Sequence, residues 1–109
     1  MMTTDQIEDR AAKALAVLTD SDETCADLQF EAAKAERLYS NSVDAHFLAI
    51  EGNIEERKAR ARKASEEYYL AFMEATRKYR TLANRRQSET IVLEWLRSLN
   101  ANQRQGGWK

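Results

Sequence analysis

A chain of 109 residues with three glycines and no proline has room for one modest core and little to interrupt a helix. Charged residues make up 32%, alanine inflates the 43% hydrophobic share, and no apolar run approaches the roughly 18 residues of a membrane span. The net charge of −1 joins an acidic half, residues 1–56 with 4 Lys/Arg against 13 Asp/Glu, to a basic half, residues 57–109 with 13 against 5.

Such asymmetry fits either a nucleic-acid-binding half or two halves that pair across a hairpin. The opening Met1-Met2-Thr3-Thr4-Asp5 lacks the basic and apolar regions of a signal peptide. The single cysteine, Cys25, cannot form an internal disulfide. A soluble protein of a reducing cytoplasm is expected.

The first helix is predicted over 4–19, opened by a Thr3-x-x-Gln6 capping box. Ile7, Ala11, Leu15 and Leu18 recur at helical spacing and leave Asp5, Glu8, Asp9 and Lys13 outward. Thr19-Asp20-Ser21-Asp22 competes for backbone hydrogen bonds, so a break is placed there, with Asp20 or Ser21 capping the next helix. A shallow kink in a continuing helix is the alternative.

The second helix, 21–50, carries Cys25, Leu28, Ala32, Ala35, Tyr39, Val43, Phe47 and Ile50 on one side. Gly52 then supplies a positive φ, and Asn53 caps a third helix with Glu56 reaching back. A stop and a restart within two residues predict a tight helical hairpin.

The third helix, 54–99, repeats the pattern through Ala61, Ala64, Tyr68, Phe72, Ala75, Tyr79, Leu82, Leu93, Leu96 and Leu99. It would be roughly 70 Å long and run antiparallel to the first two. Asn84-Arg85-Arg86-Gln87-Ser88 is its weak spot, where a kink or a new helix would fall. Residues 101–109 read as a flexible polar tail bearing Trp108.

The expected fold is all-α: an elongated antiparallel helical hairpin or three-helix coiled-coil-like bundle, with one domain over 1–100. Tyr68, Tyr69, Phe72 and Met73, and again Ile91 to Leu99, cover too wide an arc for one neighbour. Self-association or a protein partner is therefore expected, with Tyr69, Phe72, Met73, Trp95, Leu96 and Trp108 as the candidate interface.

Catalytic chemistry is poorly supplied. His46 is the only histidine, and Ser42 and Asp44 beside it in sequence point to other sides of a helix. One Cys and one His give no zinc spacing, and Val43 stands where a Glu-x-x-His pair would need its carboxylate. There is no glycine-rich phosphate loop. The reading is a non-enzyme with no catalytic residue, metal, cofactor or small-molecule substrate.

Basic clusters carry more. Arg57, Lys58, Arg60, Arg62 and Lys63 open the third helix, and Arg77, Arg80, Arg85 and Arg86 follow. These nine are the candidate nucleic-acid or partner contacts, although their spacing makes no continuous stripe for phosphates. Nucleic-acid binding is expected to be weak.

The segment from Ala45-His46-Phe47-Leu48-Ala49-Ile50-Glu51-Gly52-Asn53 through Arg57-Lys58-Ala59-Arg60-Ala61 resembles the central signature of small helical proteins of tailed bacteriophages. There an F-L-x-x-x-G segment precedes a polar residue and an R-x-A-x-A start, and Arg97-Ser98-Leu99-Asn100-Ala101 resembles their closing segment. The acidic first helix and the Gly-Gly-Trp tail lie outside that pattern.

The resemblance implies a helical-hairpin fold and a gene near phage recombination or replication functions, hence a host bacterial cytoplasm. It also implies an accessory protein that binds a DNA-handling partner or single strands. The alternatives are a small phage inhibitor, anti-CRISPR-like, whose acidic face imitates nucleic acid on a host target, and a structural oligomeric protein.

Overall fold

The computed structural model describes residues 2–106. It is all-α: α1 spans Thr4–Ala49, α2 Ile54–Ala64 and α3 Glu66–Gly106, with no strand among the described residues. None of these helices is long and apolar enough to cross a membrane. Packing gathers in two units, one joining α1 up to Cys25 with α3 from Thr81 onward, the other formed by Ala26–Arg80.

In the first unit the capping box forms as expected. Gln6 N–H donates to Thr3 Oγ1 at 3.2 Å, and Thr3 N–H donates to Gln6 Oε1 at 2.9 Å. The buried apolar side chains are Ile7, Ala14, Leu93 and Leu96. Burial along α1 steps by four and three residues through Ile7, Ala11, Ala14, Leu18, Ser21 and Cys25. Those steps keep one stripe of α1 turned towards its neighbour. Leu15, expected inward, therefore lies beside the seam and is 49% exposed, while Ala14 takes its place.

The break expected at 19–22 does not occur. Ser21, read as a cap, sits in the seam and donates its hydroxyl to Val17 O at 2.6 Å, so it is satisfied within the helix. Arg86 completes the arrangement by donating to Leu18 O at 2.6 Å, Ser21 Oγ at 2.8 Å and Asp22 Oδ1 at 3.0 Å. The same anchorage carries α3 unbroken through the expected weak spot at 84–88.

One turn on, Glu89 accepts from Arg10 Nη2, with Oε2 2.9 Å from that nitrogen. The expected tail is also corrected over 101–106, which is helical. Gln103 donates to Met2 O at 2.8 Å and accepts from Thr4 Oγ1 at 3.1 Å, which holds this last turn against the chain's opening residues. Trp108 and its neighbours 107 and 109 lie outside the described residues.

The second unit is built around the corner. Ile50 N–H still donates to His46 O, Gly52 takes φ +132°, and Glu56 N–H donates to Asn53 Oδ1 at 2.9 Å. The reciprocal half of that expected box does not form. Arg57 closes the corner instead: its Nε and Nη2 donate to Phe47 O at 3.1 and 2.8 Å, and its guanidinium lies 4.2 Å from the centre of the Phe47 ring. A bare carbonyl at the end of α1 thus acquires a cationic donor.

The single long helix expected over 54–99 is two helices separated by Ser65. Its φ of −101° and ψ of 12° interrupt the helix, and its N–H is shared between Ala61 O and Arg62 O. The side chain is fully buried and its hydroxyl lies 2.8 Å from that of Ser42. Ser65 takes the inward place expected of Ala64, which is exposed. Tyr68, expected in the apolar pattern, is 44% exposed, and it is Tyr69 that meets Tyr39.

Gly52→Val is expected to destabilise the protein by about 1–3 kcal/mol, because a β-branched residue resists so positive a φ. A Cβ here would stand 2.9 Å from Glu56 Oε2, the free end of a side chain that can swing away, so the cost lies in the backbone. Thermal melting tests this: an unchanged midpoint would mean that the corner does not need a glycine.

Candidate functional site

Helix α2 turns Ala61 inward, fully buried, and its capped start at Asn53 fixes the rotation of everything after it. Lys58, Arg60, Arg62 and Lys63 are consequently exposed, and none of the four makes an ion pair among the described residues. Four cations in six positions repel one another unless an anion joins them.

Two cavities adjoin this helix and share Arg62. The larger, 470 Å³, is lined by Tyr39, Arg62, Lys63, Glu66 and Tyr69. The smaller, 290 Å³, is lined by Val43, Asp44, Phe47, Lys58 and Arg62. Tyr39, Val43 and Phe47 recur every fourth residue along α1 and so form one apolar wall.

Tyr39 supports the rings around it, with Tyr69 at 5.4 Å and 55° and Phe72 at 6.4 Å and 20°. Three cations and two carboxylates line the two cavities, which together make a groove beside α2 that is cationic without being uniformly so. No serine, cysteine or histidine is among the residues lining it. Among the described residues no group of three or more His, Cys, Asp or Glu could hold a metal ion.

The nine basic candidates divide. Lys58, Arg62 and Lys63 meet at the groove, with Arg60 exposed on the same helix. Arg57 and Arg86 do not face outward as free contacts: one closes the corner and the other bonds α1. Arg77 is held by Glu74 through bonds of 3.0 and 2.6 Å, and that hydrogen bonding keeps the Glu74 carboxyl below its ordinary pKa. Arg80 and Arg85 are exposed and line neither cavity.

Of the interface candidates, Tyr69, Met73 and Trp95 are exposed. Leu96 is only 1% exposed, and Phe72 packs on Tyr39, so neither stands ready for a partner: both lie where the seam brings the helices together.

Tyr39, Val43, Phe47, Asp44 and Glu66 were not among the expected contacts. The first three read as seam, and they are seam; the groove uses their edges. Counting outward from the Gly52 corner would have set Tyr39 near the residues that follow Lys63. A further cavity of 330 Å³ by Leu18, Thr19 and Asp22 contains Arg86, whose donors are already engaged. Comparison of the chain with protein-family models, curated proteins and solved structures finds no match.

Proposed function

We propose that the chain is a non-catalytic accessory protein of phage DNA recombination or replication, which acts by binding and uses the groove beside α2 to contact nucleic acid. The observation that carries this reading is the set of four exposed cations at Lys58, Arg60, Arg62 and Lys63, none with an ion pair among the described residues and three of them lining cavities with aromatic walls. Were the basic half merely a counterweight to the acidic half, these cations would form ion pairs with α1 carboxylates, yet Asp44, which shares a cavity with Lys58 and Arg62, pairs with neither. Among the described residues the ion pairs that join α1 to α3 are Arg10–Glu89 and Arg86–Asp22, and neither involves α2. Specificity falls to a DNA-handling protein partner, because a few phosphate contacts carry no sequence information.

The test is binding to single- and double-stranded DNA at about 50 and about 200 mM salt, where release of counterions makes phosphate contacts steeply salt-dependent. Reversing Arg60→Glu and Arg62→Glu together is expected to abolish binding with helicity intact. No binding of the unaltered protein at the lower salt would overturn the reading.

That result would favour a second one, suggested by the exposed α1 carboxylates Asp5, Glu8, Asp9, Asp20, Glu23, Asp27, Glu31 and Glu36: an inhibitor that imitates nucleic acid towards a host protein.

A further inference from the structure

We infer that the larger cavity receives a base of single-stranded nucleic acid, laid against Tyr69, while Arg62 and Lys63 hold the phosphates on either side. The inference rests on the proposed nucleic-acid function and names its ligand. Phosphates alone would need only cations on a convex surface. Here two of the unpaired cations border a 470 Å³ concavity whose walls include two tyrosine rings, within the size range of small-ligand sites.

Tyr69 is 42% exposed, yet it is not loose. Tyr39 lies 5.4 Å from it and is itself stacked on Phe72 at 20°, so the exposed part of the ring is held with little ordering left to do. Bases in a duplex are stacked on one another and cannot reach it, whereas an unpaired strand presents a free base at each nucleotide. Glu66, which also lines the cavity, accepts hydrogen bonds and repels phosphate. It suits the exocyclic amine of cytosine better than the methyl and carbonyl edge of thymine. An acidic peptide would bring further carboxylates to a cavity already holding Glu66, and no planar face for the tyrosine.

The probe is a labelled oligodeoxycytidylate of about 20 nucleotides, titrated by fluorescence anisotropy against the full chain. Tyr69→Ala is expected to weaken binding about tenfold, Tyr69→Phe to preserve it, and both to leave duplex binding unchanged. Tyr69→Leu keeps the apolar bulk without the ring and is expected to bind as poorly as Tyr69→Ala, so a packing fault in the alanine variant does not decide the matter. Salt-sensitive binding that is indifferent to Tyr69, or that poly-glutamate competes away as well as unlabelled strand does, would overturn this inference alone. Absence of any binding at low salt would overturn the proposed function with it.

Discussion

Leu96→Ala is expected to cost about 2–5 kcal/mol, a large share of the roughly 5–15 kcal/mol that holds a typical domain together. Leu96 is almost wholly buried, and the first unit has few other buried apolar side chains to share the load: Ile7, Leu93 and the small Ala14. Removing most of it leaves a void between long helices whose backbones are held in register by Arg86 and Gln103, so the walls cannot close freely. Ile91→Ala, at a position 57% exposed, is expected to change stability by no more than about 0.5 kcal/mol. Urea unfolding of the two variants compares them directly. Equal midpoints would mean that the seam does not run through Leu96.

The second large effect concerns Arg86. Arg86→Glu is expected to destabilise by about 1–3 kcal/mol, because it points a carboxylate at Leu18 O and Asp22 with no donor to replace the three that are lost. Arg86→Met is expected to stay within about 1 kcal/mol of the parent. The methionine keeps the apolar stem, and the groups it abandons are not stranded: Ser21 still donates to Val17 O, and Asp22 is largely open to solvent. Thermal melts of both variants check the contrast. A methionine variant as poor as the glutamate would mean that the arginine's bonds, not its stem, carry the stability.

The hairpin was legible because its signals are local. Gly52 can adopt a φ that other residues resist, and Thr3-x-x-Gln6 and Asn53 supply caps within three residues of the groups they satisfy. The apolar spacing of 25–50 was also legible, and each residue from Cys25 to Ile50 expected inward is at least partly covered.

What escaped the sequence was polar. Ser21, Ser65 and Arg86 bond to partners on the facing helix or on the preceding turn, and Glu89 pairs with Arg10 although its Oε2 is left without a hydrogen bond; in isolation such residues read as caps, breaks or surface. The groove was half legible for the same reason. Its cations announce themselves in Arg57–Lys63, but Tyr39 and Glu66 join them only once the register of the hairpin is known.

The distances along the chain that the cross-helix bonds span set an order of assembly. Arg57 reaches Phe47 across 10 positions and Ser65 reaches Ser42 across 23, whereas Gln103 reaches Thr4 across 99. Closing a short loop costs less entropy than closing a long one, so the corner forms first and the helices zip outward from it. On a ribosome adding about 5–20 residues per second, Ile7 and Ala14 must wait for Leu93 and Leu96 to leave the exit tunnel. For those seconds the first turns of α1 trail as an open zip with one row of teeth, the stretch of this chain most exposed to capture.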